Sequence, residues 1–554
     1  MQIEQTIIAT LHTELTALGL SLQPTEISLT YPPNPELGHY ALPCFSYAQR
    51  LRLPAAELAT ILQQRCQAHY QAQDDTVAVR QVGTAGGFLN FYLNTEFLAR
   101  QMLPLIANAK FFQPQQPAQT YMVEYSQPNT HKIFHVGHVR NVCLGDSICR
   151  LLRYCGHQVI AANYIGDEGT HVAKCLWHLE RSGEQPPTNH RSEWLGKHYQ
   201  QATVALAQQQ PDQQAELSAV LRAIATKQGK FYKLWQQTRA YCLQDFAAVY
   251  RWLQTDFDVY YYESEVPADE IIKDYKRRLT LSEGAYGVEL GKLGFFMLLK
   301  SDGNTLYATK DLALAQIKFK QYQLDHSLYV VGAEQKHYFQ QVFKALEVLG
   351  ISNTDKNYHI SYGLVRLQSG KMSSRQGNII PFSELQKQLT AELTPHLQKY
   401  RWNDEQLDTT RQKLASGAIK YGMLQTDPVK EIIFDLKAWL QFEGNTGLYL
   451  IYAYARANSL LTKAGITSPC FDNLQLLNSD AEEELLLLML RFNSTVHQAA
   501  TKYKPSILAT LLYSQARAFS VFYTEHAILK ASSDELRQAR LALVYCFRAV
   551  MLKG

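Results

Sequence analysis

The 554-residue sequence contains no long hydrophobic segment, no closely spaced cysteine pair and no large excess of either charge. Its most aliphatic run, Leu485 to Leu490, falls far below the roughly 18 residues of a membrane-spanning helix, so no membrane contact is expected. The nine cysteines are an odd number without a Cys-x-x-Cys pair, which is typical of reduced thiols in a cytoplasmic protein. A net charge of +4 neither requires nor excludes nucleic acid, because a folded protein can concentrate basic residues on one face.

What the sequence does contain is a globular composition, with 46% hydrophobic and 19% charged residues. At about 150 residues per domain, its length predicts three or four domains. The patterns predict an N-terminal α+β domain over residues 1–110, a parallel α/β domain over 118–384 with a helical insertion at about 178–290, and an all-α bundle over 385–554. The proline-marked segment 112–119 is the predicted linker after the first domain.

Two helices and two strands are predicted in the first domain. The first twenty residues form one amphipathic helix, and a second helix begins near Pro54, where proline suits the first helical turn. Residues 77–82 and 87–93 are the predicted strands. The helix positions expected to be buried are Ile3, Ile7, Leu11, Leu15, Leu18, Leu58, Ile61 and Leu62.

The second domain opens with a strand at 121–125, a polar loop, a helix at about 138–155 and a second strand at 159–164. This order makes a βαβ unit, which predicts a parallel sheet. Further strand signals occur at 295–299 and 328–331, and from about Leu385 to the end the pattern is helical throughout.

The loop between the first strand and helix of that unit reads Ser126-Gln-Pro-Asn-Thr-His-Lys-Ile-Phe-His-Val-Gly-His138. A helix start after a strand favours phosphate, because its backbone N–H groups and its dipole point at the ligand. His135 and His138 can both face a triphosphate there, and Gly137 lets a flat base approach the backbone. A helix cap with two surface histidines and a zinc site that includes His131 are the alternatives.

A second segment, Lys371-Met-Ser-Ser-Arg375, is a basic loop of small residues that also follows a strand. Two cations on such a loop suit the charge that develops when pyrophosphate leaves an α-phosphorus. A solvated basic loop is the alternative interpretation, and the pairing with the upstream histidines makes the catalytic one stronger.

Together these segments resemble the HIGH and KMSKS signatures of class I aminoacyl-tRNA synthetases, and specifically of the arginyl-tRNA synthetase family. The resemblance spans nearly the whole chain and implies a Rossmann-type catalytic domain. It implies ATP-dependent formation of arginyl-adenylate, with Mg²⁺ on the phosphates, and transfer of arginine to tRNA(Arg). Further matching segments are Val123–Asn129, Asn163–His171, Phe257–Ser264, Asp302–Asp311, Val330–Gln335, Phe442–Gly447 and Tyr452–Arg456.

The resemblance also assigns residues to the substrates. It places Glu263, Tyr307 and Asp311 around the arginine side chain, where carboxylates can accept the forked donors of a guanidinium. It places Glu124, Ser126, Asn129 and Gln335 around the backbone end of the amino acid. The residues implied to act in catalysis are His135, His138, Lys371 and Arg375, and those implied to bind ATP are His135, Gly137, His138, Lys371, Met372, Ser373 and Ser374.

The sequence departs from the family pattern in places. Ser374 stands where KMSKS has its second lysine, and we assign Lys132 a compensating phosphate contact as a hypothesis. Glu168 and His171 stand where an aromatic residue and a glutamine are commoner. The chain ends at Gly554, before a Leu-Gly-Ile and methionine segment common in the family, which leaves a non-catalytic paralogue as one alternative. A small-molecule nucleotidyltransferase is the other, and it leaves the first and last domains without a role.

The resemblance assigns the tRNA anticodon region to the C-terminal bundle and the outer corner of the tRNA to the N-terminal domain. Aromatic side chains on the strand near Phe91 can stack on an unpaired base, although Phe91 itself is expected in the core. The candidate tRNA contacts are Phe88, Asn90, Tyr92, Tyr449, Tyr452 and Arg456. No metal site of the protein's own and no obligate protein partner are expected, so the enzyme is predicted to be a monomer.

Overall fold

The computed structural model describes residues 3–32, 34–72, 78–113, 117–207, 211–300, 306–368, 370–371, 379–400 and 402–554. The chain forms two compact units. The first comprises Met1–Phe112, Ala453–Arg491 and Gln515–Gly554, and the second comprises Gln113–Tyr452 and Phe492–Ser514.

The N-terminal part of the first unit is an α+β fold, as predicted. Its elements are α1 (Ile3–Ala17), β1 (Tyr40–Pro43), α2 (Phe45–Leu51), α3 (Ala55–Gln71), β2 (Val79–Ala85), β3 (Phe88–Leu93) and α4 (Thr95–Ala107). The strands form an antiparallel sheet in the order β1-β3-β2, so β3 is central and Phe91 is fully buried, as expected. Of the helix positions predicted to be buried, Leu18 and Ile61 are only half-buried.

The second unit is built around strands and helices that alternate along the chain. Its strands are β4 (Thr120–Glu124), β5 (Gln158–Ile165), β6 (Val259–Tyr262), β7 (Thr280–Ser282), β8 (Ala285–Glu289), β9 (Phe295–Leu299), β10 (His326–Gly332), β11 (Asn357–Tyr362), β12 (Val365–Leu367), β13 (Gly370–Lys371) and β14 (Ile432–Phe434). Its helices are α5 (Val136–Tyr154), α6 (Thr170–Ser182), α7 (Arg191–Ala205), α8 (Pro211–Ala225), α9 (Gly229–Trp252), α10 (Ala268–Tyr275), α11 (Tyr307–Tyr322), α12 (Lys336–Leu349), α13 (Phe382–Leu397), α14 (Asp404–Leu424), α15 (Leu436–Trp439) and α18 (Phe492–Thr501).

The remaining helices are α16 (Gly447–Lys463), α17 (Asp480–Leu490), α19 (Pro505–Glu525) and α20 (Asp534–Lys553). Helices α17 and α20 belong to the first unit, whereas α16 and α19 run through both units. No helix in the described ranges is long and apolar enough to cross a membrane.

The central sheet is parallel and has the strand order β11-β10-β4-β5-β6. The predicted βαβ unit is therefore confirmed as β4, α5 and β5. The chain order reverses between β4 and β10, because successive strands are added outward on one side of β4 and then on the other. In such doubly wound sheets, ligands bind at the carboxyl ends of the strands beside this reversal.

Two predicted helical regions contain strands. The region predicted as a helical insertion, 178–290, is helical to Trp252 and again in α10, but its strand β6 joins the central sheet, and its strands β7 and β8 form a small antiparallel sheet with β9. The segment Val259–Tyr262 consists of one β-branched and three aromatic residues, a composition that favours a β-strand. The C-terminal region is likewise interrupted by β14, which pairs in parallel with β12.

All nine cysteines are unpaired, and eight of them are buried. Cys143, Cys149 and Cys155 lie along the inner side of α5 and at its end. These thiols therefore act as small core side chains, and burial raises the pKa of Cys143 to about 12.

Candidate active site

The two histidines of the His-Val-Gly-His segment form the start of α5. His135 is the N-cap residue, and its Nδ1 accepts the backbone N–H of Gly137 at 3.1 Å. The backbone N–H of His135 in turn donates to Nδ1 of His138 at 3.2 Å, and the ring centroids are 4.0 Å apart. The arrangement is a reciprocal capping box in which imidazoles take the place of the usual hydroxyl and carboxylate.

This geometry fixes the protonation state of both rings. Each Nδ1 accepts a hydrogen bond, so each ring carries its proton on Nε2. Burial lowers the pKa of His135 to about 4, and burial together with His135 and Lys132 lowers the pKa of His138 well below its usual range. At neutral pH the pair therefore consists of two neutral Nε2–H donors at the positive end of a helix, which is suited to phosphate oxygens.

The segment that follows the basic loop is hydrogen-bonded to this helix start. The backbone N–H of Val136 donates to the carbonyl of Ile380 at 3.1 Å, and that of Phe382 donates to the carbonyl of Phe134 at 3.0 Å. The predicted ATP and catalytic residues Met372, Ser373, Ser374 and Arg375 lie outside the described residues, as does the side chain of Lys371, whose backbone forms part of β13.

Lys132 is half-buried, and its ammonium lies 5.8 Å from the ring centroid of Tyr199. Its charge contributes to the lowered pKa of His138 and opposes the raised pKa of Glu263. The charge of Lys132 therefore acts on both the histidine pair and the acidic cavity. Within the described residues, no group of three or more His, Cys, Asp or Glu side chains could hold a metal ion, so a zinc site with His131 finds no support.

A cavity of about 170 Å³ opens at the strand reversal. Glu124 ends β4, Glu263 follows β6 and Gln335 follows β10, so three strand ends contribute to it. The first turn of α11 contributes Tyr307 and Asp311 to the lining. These two residues lie one helical turn apart, as their spacing predicted. Together with Asn129, six of the seven residues predicted to bind arginine line this cavity: Glu124, Asn129, Glu263, Tyr307, Asp311 and Gln335.

Ser126 is the exception. It adopts a left-handed backbone conformation with φ of 73°, and its hydroxyl lies 2.7 Å from that of Tyr250, beneath the loop. The next residue, Gln127, lines the cavity instead and donates to Oε1 of Glu124 at 2.8 Å. The loop also holds Gln127 and His131 at positive φ, and such strained non-glycine residues concentrate at functional sites.

The carboxylates of the cavity differ in how they are neutralised. Glu124 is buried and forms an ion pair with Lys318, which is itself fully buried on α11. Among the described residues, neither Glu263 nor Asp311 forms an ion pair. Burial, with Asp167 and Asp311 nearby, raises the pKa of Glu263 to about 7, and Lys132 opposes part of this shift. Burial also raises the pKa of Asp311 to about 7, although the hydroxyl of Tyr338 donates to it and lowers that pKa in part. The cavity therefore has two acidic groups that a bound cation would stabilise in the ionised form.

The residues that position these acids include several that the sequence did not indicate. Asp167 is completely buried, pairs with Arg239 at 2.6 Å and accepts the backbone N–H of Ser264 at 2.9 Å, which fixes the chain just after Glu263. Glu168, whose role was open, forms an ion pair with Lys310. Lys318 lies seven residues, or about two helical turns, after Asp311. This spacing is the only sequence signal that would have placed Lys318 on the same face of α11 as Asp311.

We expect Gly166→Ala to weaken arginine binding, because an added Cβ would come within 2.5 Å of Oδ1 of Asn129 and 3.4 Å of Oε2 of Glu263. A displacement of about 1 Å at such a site costs on the order of 100-fold in efficiency, so KM for arginine should rise about 10- to 100-fold. Gly183→Ala is the control, because Gly183 lies in open space at φ of +65°, and that variant should lose stability without a change in KM. An unchanged KM in Gly166→Ala would contradict the expectation.

The candidate tRNA residues differ in exposure. Phe88 is exposed, Tyr92 is half-buried with its hydroxyl donating to the carbonyl of Glu36 at 3.0 Å, and Asn90 is buried at 3% exposure. Asn90 is therefore not on the surface, because the backbone at Gly38 packs against it: a Cβ at Gly38 would lie 3.5 Å from the Cβ of Asn90. On α16, Tyr452 is exposed, the ring of Tyr449 lies 5.9 Å from that of Tyr513, and the guanidinium of Arg456 lies 4.5 Å from the ring centroid of Tyr523.

Comparison with known proteins agrees with this arrangement. Residues 102–436 match the family model of the class I tRNA synthetase (R) catalytic domain, residues 450–554 match the DALR anticodon binding domain, and residues 1–93 match the arginyl tRNA synthetase N-terminal domain.

Among relatives, the arginine–tRNA ligase of Bdellovibrio bacteriovorus is 38% identical over 537 residues, which covers 93% of this chain and 90% of the relative. That of Treponema denticola is 32% identical over 552 residues, which covers 95% and 93%. The arginyl-tRNA synthetase structure of Thermus thermophilus superposes with a TM-score of 0.84 at 26% identity and covers 100% of this chain and 98% of its own. The chain therefore belongs to the arginyl-tRNA synthetase family of class I aminoacyl-tRNA synthetases.

Proposed function

We propose that this protein activates L-arginine with ATP and transfers the arginyl group to the 3′ end of tRNA(Arg). The observation that carries the proposal is the pair of half-buried acids, Glu263 and Asp311, in a cavity at the strand reversal. Two carboxylates that form no ion pair within the described ranges, beside two neutral phosphate donors at the start of α5, suit a cationic amino acid and a nucleotide.

In the first step the carboxylate of arginine attacks the α-phosphorus of ATP, the bond to the β-phosphate oxygen breaks, and arginyl-adenylate and pyrophosphate form. Nε2–H of His135 and of His138 would stabilise the charge on the phosphates, and Lys371 and Arg375 would hold the leaving pyrophosphate. Lys132 would add a phosphate contact. Mg²⁺ would enter with ATP, because this ion keeps most of its ligands as water and phosphate oxygens.

In the second step a ribose hydroxyl of the terminal adenosine of tRNA attacks the arginyl carbonyl, and AMP leaves. Glu124, Asn129 and Gln335 would hold the backbone end of arginine, with the carboxylate of Glu124 fixed in place by its ion pair with Lys318. Ser126 would act indirectly, through the hydroxyl of Tyr250 that holds the loop. Neither step requires a covalent enzyme nucleophile.

For tRNA, the proposal assigns chemistry to residues 118–384 and RNA contact to residues 1–110 and 385–554. Phe88 and Tyr452 are the predicted contacts with the most exposed aromatic rings. Tyr92, Tyr449 and Arg456 remain proposed contacts beside them. The enzyme is proposed to act as a cytoplasmic monomer.

The test is arginine-dependent exchange of pyrophosphate into ATP by the purified protein, with and without tRNA(Arg), with lysine and glutamine as control amino acids. Exchange that requires both arginine and tRNA(Arg) would support the proposal in full. Exchange without tRNA would support the formation of arginyl-adenylate but contradict the expected dependence of that step on tRNA(Arg). No exchange in any tube, from folded protein, would favour the non-catalytic paralogue.

The acidic pair also predicts a pH dependence for arginine binding. Glu263 and Asp311 have pKa values raised to about 7, so both are largely neutral below that pH and ionised above it. A guanidinium binds the ionised form, so KM for arginine should be constant above about pH 8 and rise below pH 7 by about tenfold per pH unit for each carboxyl that must ionise. KM for ATP over the same range is the control, and a flat KM for arginine between pH 6 and pH 8 would contradict the assignment.

A further inference from the structure

Tyr164 lies in the same cavity but has no role in the scheme above. It occupies the carboxyl-terminal end of β5, its side chain lines the cavity, and it is 7% exposed. No atom in the described part of the chain forms a hydrogen bond with its hydroxyl. A buried hydroxyl without a hydrogen bond destabilises the protein, so its position in a ligand cavity calls for a partner on the ligand.

The surroundings keep this hydroxyl protonated. Burial and the negative charges of Asp311, Glu263 and Glu124 raise the pKa of Tyr164 above its usual range. The group is therefore a neutral O–H with acceptor lone pairs at every pH at which the protein works. It differs from Tyr338, whose hydroxyl already donates to Asp311, and from Tyr250, whose hydroxyl contacts Ser126 and Asn163.

The hydrogen-bond requirement of a guanidinium indicates what that partner is. A guanidinium carries five N–H donors in one plane, and each needs an acceptor when it is buried. Glu124 is occupied, because its Oε1 accepts from Gln127 and its Oε2 pairs with Lys318. One oxygen of Asp311 accepts the hydroxyl of Tyr338. At one hydrogen bond per oxygen, the two oxygens of Glu263, the other oxygen of Asp311 and the hydroxyl of Tyr307 would accept four of the five donors, which leaves one for a further acceptor.

We propose that Tyr164 is a specificity-determining residue whose hydroxyl oxygen accepts an N–H of the arginine guanidinium. This inference rests on the proposed function, because it takes arginine as the occupant of the cavity. The contact selects against lysine, because an ammonium has three donors at one point and cannot span Glu263, Asp311 and Tyr164 together. Tyr164 thus supplies a neutral acceptor where a third unpaired carboxylate would add repulsion.

The experiment measures arginine binding to the full-length protein by calorimetry without ATP, for the wild type, Tyr164→Phe and Tyr70→Phe. Tyr70 is the matched control, since it is also a buried tyrosine, 4% exposed, but belongs to the N-terminal fold. A hydrogen bond to a charged ligand contributes about 1.5–3 kcal/mol, so Tyr164→Phe should bind arginine about 10- to 100-fold more weakly, and Tyr70→Phe should bind it as the wild type does.

Exchange assays in the presence of tRNA(Arg) complete the test. For Tyr164→Phe, KM for arginine should rise with KM for ATP unchanged, and the ratio of kcat/KM for arginine to that for lysine should fall about tenfold or more. Thermal unfolding should show that Tyr164→Phe is at least as stable as the wild type, because the variant removes a buried hydroxyl that lacks a hydrogen bond in the described part of the chain.

The outcomes separate the two claims. Wild-type protein that binds no arginine would overturn the proposed function and this inference with it. Wild-type protein that binds arginine, with Tyr164→Phe binding equally well, would overturn the role of Tyr164 alone. Equal weakening in Tyr164→Phe and Tyr70→Phe would also overturn it, because the effect would then come from general destabilisation.

Discussion

Asp311→Asn is expected to lower kcat/KM for arginine by about 100- to 1000-fold and, in the same protein, to raise stability at pH 8. Loss of a charged partner for a buried guanidinium accounts for the first effect, at about 3–4 kcal/mol. The asparagine side chain would keep an oxygen that accepts the hydroxyl of Tyr338, so the local structure should persist.

The gain in stability follows from the raised pKa of Asp311. Its pKa rises from 3.8 in the unfolded chain to about 7 in the folded protein, so ionisation at high pH penalises the folded state. The penalty is absent below the unfolded pKa, grows as pH rises towards 7 and is constant above it. Asparagine carries no charge, so the variant should gain about 1–3 kcal/mol at pH 8 relative to the wild type.

Urea unfolding of the wild type and of Asp311→Asn at several pH values between 5 and 8 measures the difference in stability. Pyrophosphate exchange measures the loss in kcat/KM for arginine. The stability difference should increase between pH 5 and pH 7 and then level off. A difference that does not change with pH would show that the acid is not held at a raised pKa. Glu347→Gln is a suitable control, because that carboxylate lies on the surface, far along α12 from the cavity, and carries no such penalty.

His138→Asn is expected to reduce adenylate formation by about 100- to 1000-fold with arginine binding unchanged. The Oδ1 of asparagine lies near the place of Nδ1 and can accept the N–H of His135, so the helix start should be kept. The Nε2–H donor to the phosphates is lost, and removal of one such donor typically costs about 2.7–4 kcal/mol in the transition state.

His138→Gln is the complementary variant. Its side-chain amide reaches the position of Nε2 and retains a donor there, so it should lose less activity than His138→Asn, although its cap is weaker. The measurements are kcat for pyrophosphate exchange, calorimetric binding of arginine and thermal unfolding. Equal loss in both variants, in step with lost stability, would assign His138 a purely structural role.

The lowered pKa values of the two histidines also predict how kcat/KM for ATP depends on pH. Burial lowers the pKa of His135 to about 4 and that of His138 well below its usual range, so kcat/KM for ATP should show no inflection near pH 6.5 from either ring. An inflection there that disappears in His138→Asn would mean that the ring acts as a cation.

The local features of the protein could be predicted from its sequence. The periodicity of apolar residues predicted α1, the βαβ unit of β4, α5 and β5, and the core position of Phe91, because each depends on near neighbours in the chain. The histidine pair could be placed at a helix start for the same reason. The residues predicted to bind arginine came from matched segments, and six of the seven meet in one cavity.

The contacts between segments that are distant in the sequence were determined only by the tertiary structure. The pairing of β14 with β12 joins residues more than sixty apart, and no local periodicity reports a strand of three residues. Three contacts in the candidate site depend on side chains from separate elements. They are the contact of Ser126 with Tyr250, the ion pair of Glu124 with Lys318 and the hydrogen bond from Tyr338 to Asp311.

The same holds for the acidity of the site. A sequence shows that Glu263 and Asp311 are carboxylic acids, but their pKa values depend on how much water is excluded and on which charges lie within a few ångströms. Chain order therefore determined which chemical groups the protein has and where its helices begin. Packing determined which of those groups are left without a partner, and so where a cation can bind.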